Sequence, residues 1–113
     1  MAKYESSLDH VFTALGDPTR RAILERLAGG PASVSDLNAL FDMAMPSLMA
    51  HLKKLETAGL IASEKDGRVR TCALVPDACA PARRWLMAQE ALWEGRLDRL
   101  DALVTQLARE QSQ

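Results

Sequence analysis

Between Gly29-Gly30-Pro31 and Gly59 the chain has room for two short helices, and only Asp42-Met43-Ala44 to turn between them. Gly-Gly-Pro ends whatever precedes it, because glycine takes the backbone angles of a helix exit and proline cannot continue a helix. Ser33 or Ser35 then offers a hydroxyl to cap a third helix at Asp36 to Phe41, with Leu37, Leu40 and Phe41 inward. A fourth helix is predicted from about Met45 to Ala58, with Gly59 as its stop. Two short helices joined by so tight a turn read as a helix-turn-helix.

The flanks extend that unit. Leu8, Val11, Phe12 and Leu15 recur at helical spacing and stop at Gly16, which predicts a first helix of about three turns. Asp17-Pro18 restarts the chain: Asp caps free amides, and Pro suits the first helical position, where no donor is needed. The second helix turns Ala22, Ile23, Leu24 and Leu27 inward. After Gly59, Leu60 to Glu64 and Arg68 to Val75 are separated by Lys65-Asp66-Gly67, and Asp-Gly is a hairpin signal. Pro76 and Pro81 bracket a turn, and Ala82 to roughly Arg109 reads as one long helix. On it Leu86, Trp93, Leu97, Leu100, Val104 and Leu107 make a heptad-like stripe that Gly95 interrupts, as close approach of another helix would require. The fold class predicted is mainly α with a small β-hairpin wing at about 61–75, a winged helix-turn-helix.

At 113 residues this is the length of one domain, 1–113, and so small a core gains from pairing with a second copy. No apolar run approaches a membrane span, and Met1 to His10 is polar, unlike a secretion signal, so the cytoplasm is expected. Two cysteines are too few for a disulfide scaffold. The net charge of −1 argues against a nucleic-acid partner, but its distribution does not: residues 47–75 carry five basic and three acidic side chains. A polyanion would dock there.

A helical wheel of 45–58 sharpens this. Leu48, Leu52 and Leu55 share a face and must point to the core. Opposite lie Pro46, Ala50, Lys53 and Thr57, flanked by Ser47 and Lys54 on one side and Met49 on the other. Lys53 and Lys54 suit phosphates, Ser47 a base or phosphate, and Met49 and Ala50 the methyl groups of thymine. On the wing Lys65, Arg68 and Arg70 add three positive charges. This is the layout of a helix in the major groove with a wing on the backbone or minor groove.

The run Phe12 to Leu27, FTALGDPTRRAILERL, and the run Met45 to Ile61, MPSLMAHLKKLETAGLI, closely resemble the ArsR/SmtB family of bacterial winged-helix repressors. The similarity continues through Gly67-Arg68-Val69-Arg70 and the Trp-containing last helix. The resemblance implies a homodimer built from the first and last helices, here through Leu8, Val11, Phe12, Trp93, Leu97, Leu100, Val104 and Leu107. It implies binding to an imperfect palindrome in double-stranded DNA, release on binding an effector that the sequence does not identify, and a DNA-contacting role for His51. The family's metal sensors carry Cys-x-Cys where this chain reads Ser33-Val34-Ser35-Asp36. Other members bind zinc between last helices, yet the last helix here contains no His, and Asp98, Asp101 and Glu110 are carboxylates without an imidazole beside them in it. No metal and no cofactor are therefore expected. Ala44 and Met45 stand where many relatives carry Ser and Gln, so fewer polar base contacts follow.

Other readings compete at particular residues. His51 lies on the shoulder of its helix, where a hydrogen-bonded packing role competes with a DNA contact. His10 reads as a surface or interface residue, and Met43, Met45 and Met49 as packing rather than a soft-metal cluster. Trp85 and Trp93 read as buried area before an effector pocket. Cys72 and Cys79 read as small hydrophobes, the alternative being a thiol-based redox or sulfur sensor. A third reading is a protein-interaction module that has lost DNA binding. An enzyme is disfavoured: there is no Gly-rich phosphate loop, no metal triad and no nucleophile with a neighbouring base.

Overall fold

The computed structural model describes residues 2–111, with side chains from Ser7 onward. The elements run α1 (Ala2–Leu15), α2 (Pro18–Ala28), β1 (Ala32–Ser33), α3 (Val34–Phe41), α4 (Met45–Thr57), β2 (Ile61–Asp66), β3 (Val69–Leu74) and α5 (Ala80–Gln111). They fall into two compact units, one ending at Ala80 and one beginning at Pro81.

In the first unit, local chemistry explains where each helix begins and ends. The Asp17 carboxylate accepts from the Arg20 amide, with Pro18 in the first turn of α2. Ser33 Oγ accepts from the Asp36 amide, which settles the α3 cap on Ser33 rather than Ser35 and starts the helix at Val34. Asp42 closes α3 in the left-handed conformation (φ 46°), which a short polar side chain tolerates better than most. At the end of α4, Leu60 N–H donates to Leu55 O and Gly59 N–H to Glu56 O. That is a Schellman exit, and Gly59 (φ 75°) supplies its left-handed residue. Leu55 and Leu60, the two side chains such an exit brings together, are both buried.

Ile23, Leu37, Leu48, Leu55 and Cys72 are fully buried, so α2, α3, α4 and β3 all feed the core. Leu40 was expected inward but is 59% exposed, and Phe41 is only half-buried. α3 spans two turns, and Leu37 alone anchors it.

The sheet has order β1-β3-β2, all antiparallel. The third strand, β1, was not anticipated: Ala32 pairs with Cys72 and Ser33 with Thr71, which makes β3 central. The hairpin turn also lies further along than Lys65-Asp66-Gly67. Asp66 pairs with Val69, leaving Gly67-Arg68 as a two-residue loop. Gly67 (φ 62°) holds the first loop position, where a type II′ turn wants glycine. α1 likewise starts earlier than its apolar spacing shows, at Ala2.

In the second unit, α5 is a helix of 32 residues, about 48 Å at 1.5 Å per residue. Leu86, Trp93, Leu97, Leu100, Val104 and Leu107 are each about half exposed along it, as are Leu92 and Leu103. A Cβ on Gly95 would meet nothing within 4 Å among the described residues. No helix among the described residues is long and apolar enough to cross a membrane.

Candidate nucleic-acid interface

α4 presents two unlike faces. Leu48, Leu52 and Leu55 are buried, while Pro46, Ser47, Ala50, Lys53, Lys54 and Thr57 are exposed and Met49 remains 40% exposed. Three buried leucines at helical spacing lock the rotation of α4, and that rotation aims the other residues outward. Its N-cap, Ala44, makes no side-chain hydrogen bond, so the amides of the first turn have no such acceptor.

The wing stands beside this helix. Lys65 and Arg70 are directly opposed across β2 and β3, Arg68 sits in the loop, and all three are exposed. Arg70 Nη1 donates to Ser63 Oγ at 2.9 Å, which limits the freedom of its guanidinium. Between α4 and β3 runs a groove of about 460 Å³ lined by Met49, Lys53, Glu56, Arg70 and Cys72 among others. A smaller one of about 230 Å³ joins Ser33 and Ser35 of the α3 start to Met45, Met49, Arg68 and Arg70. Five of the residues expected at DNA, Met49, Ala50, Lys53, Arg68 and Arg70, thus line two grooves that share Met49 and Arg70. Ala50, Lys53 and Lys54 line a third groove, of about 400 Å³, on the α1 side of α4. Ala50 and Lys53 line grooves on both sides of α4. Lys65 lines none of these grooves and stands out on β2.

His51 is half-buried and points toward α2. Its Nδ1 lies 3.2 Å from Arg20 Nη1 and 3.9 Å from Asp17 Oδ2. Arg20, only 8% exposed, also donates through Nε to Ala14 O and through Nη2 to Thr13 O, both at 2.9 Å. One guanidinium therefore closes the end of α1, lies in the first turn of α2 and reaches the middle of α4. The sequence reading missed Arg20. Its one local signal is an arginine three positions after a capping aspartate, just past a helix stop. The Arg20 amide chiefly, and the Arg20 guanidinium with it, hold the Asp17 carboxyl below the usual carboxylate range, although partial desolvation opposes them.

Cys72 is buried on β3 and Cys79 is exposed, and both thiols are free. Burial pushes the Cys72 thiol up, the Glu56 carboxylate adds to this, and Arg70 partly offsets it. Such a thiol is a poor nucleophile. Of the residues expected at a dimer contact, Val11 is 4% exposed and so has little surface to offer, whereas Leu8 is half-buried and Phe12 is 36% exposed. Trp93, Leu97, Leu100, Val104 and Leu107 lie exposed on α5. Among the described residues, no group of three His, Cys, Asp or Glu side chains could hold a metal ion.

Comparison with known proteins supports the helix-turn-helix fold. A helix-turn-helix domain model matches residues 15–64. The HTH-type transcriptional regulator Rv2034 of Mycobacterium tuberculosis is 41% identical over 83 residues, 74% of this chain and 77% of that protein. The transcriptional repressor SdpR of Bacillus subtilis is 31% identical over 80 residues, 71% and 89% of the two chains. Among solved structures, an ArsR family transcriptional regulator superposes with a TM-score of 0.73 at 51% identity, covering 78% of this chain and 97% of its own. The homodimeric winged helix-turn-helix DNA-binding domain of a Mycobacterium bovis protein superposes with a TM-score of 0.64 at 25% identity, covering 80% and 86%.

Proposed function

Since the chain belongs to the ArsR family of helix-turn-helix transcriptional regulators, we propose that it is a homodimeric repressor reading an imperfect palindrome in double-stranded DNA. One observation carries the reading: α4 buries Leu48, Leu52 and Leu55 and turns Ser47, Met49, Ala50 and Lys53 outward, with Arg68 and Arg70 beside them. Residues 45–58 enter the major groove, and the wing, 61–75, lies on the backbone or minor groove. Lys53, Lys54, Lys65, Arg68 and Arg70 neutralise phosphates and add affinity without sequence preference. Ser47, Met49 and Ala50 meet base edges and set the preference, a mostly apolar readout suited to thymine methyl groups. His51 acts from behind, through Arg20, in holding the helix.

The second copy is supported by the half-exposed leucines of α5 and by a homodimeric relative of the same fold. An apolar stripe of this length is rarely left to water. In this reading 1–113 acts as a single DNA-binding and dimerisation domain in the cytoplasm. Its effector is not a metal at the family's usual sites, because Ser33 and Ser35 replace thiolates and α5 has no His. Repression is favoured by the likeness to SdpR.

A gel-shift with the DNA upstream of the protein's own gene tests this. A retarded complex, competed by the same fragment and not by a scrambled duplex, is the expected result. No complex at low salt would leave the chain as a protein-interaction module.

A further inference from the structure

We propose that the groove between α1 and α4 is a seat for the DNA backbone, and that His10 and Thr13 of α1 are phosphodiester-contacting residues. The inference rests on the DNA-binding reading above and adds a helix to it. The groove, about 400 Å³, is walled by His10 and Thr13 on one side and by Lys53, Lys54 and Thr57 on the other, with the buried Ala14 among its lining residues. Two lysines, a histidine and two threonines therefore border one open trough, and their side chains are of the donor types that phosphate oxygens accept from. Among the described residues lining it, none carries a carboxylate. The groove on the wing side of α4 differs, since Glu56 there faces Lys53 and Arg70.

Continuity selects the occupant. Lys53 lines both grooves, so a backbone strand gripped beside the recognition helix passes over it into the α1 side. On the α1 wheel, His10 and Thr13 lie about 100° or more from Leu8 and Phe12. A strand can then occupy this face while the apolar face meets a second copy. By sequence alone His10 reads as a surface or interface residue, because nothing local shows that α4 lies beside it.

Phosphate-ethylation interference on a bound palindrome is the test, with wild type, His10→Ala and the isosteric Thr13→Val compared after circular dichroism confirms helical content. The expected result is that both variants lose interference at one phosphate pair, symmetric about the operator centre. Affinity for specific and scrambled duplexes should fall alike, by about three- to tenfold. Unchanged affinity and an unchanged ethylation pattern in both variants, with Lys53→Ala still weakened, would overturn the seat and leave the regulator reading intact. Wild type binding no duplex would overturn both. Inorganic phosphate, compared with chloride at matched ionic strength, should displace the DNA no better. Phosphate-specific displacement that disappears in His10→Ala would make the groove a small-anion site instead, and would equally overturn the proposal.

Discussion

Arg20 Nη1 lies 3.2 Å from Nδ1 of His51, thirty-one positions further along the chain. A guanidinium can only donate, so Nδ1 is the acceptor and the ring proton sits on Nε2. Because Arg20 also closes the last turn of α1 through Ala14 O and Thr13 O, the contact fixes α4 against two other helices. Arg20→Ala should cost about 2 to 4 kcal/mol in urea unfolding, since it strands buried acceptors. Arg20→Lys should recover little, because an ammonium cannot span the three acceptors. His51→Asn, which keeps an acceptor near the Nδ1 position, should be more stable than His51→Ala. Equal stability of those two would mean the contact contributes nothing.

Asp17 predicts an acid-side dependence. Its carboxyl titrates below the ordinary value in the folded chain, chiefly because the Arg20 amide binds the ionised form. A depressed folded value means the stabilisation is fully present above about pH 4, the ordinary aspartate range, and fades as pH falls through the lower folded value. Asp17→Asn keeps a cap but loses the charge. Its unfolding midpoint should therefore vary less than that of wild type between pH 4 and lower pH, a comparison that thermal melts would make.

The cations proposed to face phosphates predict a salt signature. Lys53→Ala and Arg68→Ala should each weaken binding to every duplex and lower the slope of log affinity against log salt by about one. Ser47→Ala and Met49→Ala should instead change which duplex is preferred. Unchanged affinity and slope in both cation variants would show that the assigned face of α4 and wing is wrong.

The α5 stripe predicts assembly. Leu100 is half exposed in the single chain, so Leu100→Glu costs the protomer little but places a charge where a second copy would pack. Sedimentation should show a wild-type dimer and a folded variant monomer. A wild-type monomer throughout the micromolar range would remove the stripe as an interface.

The two thiols predict unequal reactivity. A thiol reagent should label the exposed Cys79 at once and the buried, upward-shifted Cys72 only on unfolding. Equal rates in the native protein would return the redox-sensor alternative to consideration.

Much of the fold was legible because its signals act over a turn or two of chain. The Asp17-Pro18 start, the Gly59 exit and the three-leucine face of α4 each depend on neighbours within about five positions. Short elements were read less well. β1 has two residues, too few for any periodicity, and exists because β3 offers it a partner at Cys72 and Thr71. The hairpin turn was placed one step early because Asp-Gly marks a turn without saying which residues close it, and the Asp66 to Val69 pairing decides that.

The sequence by itself determined the order of the elements, the helix boundaries to within a few residues at most ends, and which side of α4 is apolar. Caps, breakers and periodicity are properties of contiguous residues, and they need no folded context. Only the tertiary structure decided that Arg20 would reach His51, that Arg70 would face Lys53 across a groove, and that His10 would share a trough with Lys54. Those partners are 17 to 44 positions apart, and what joins them is the packing of α1, α2, α4 and β3 around one buried core, which no local pattern of side chains records.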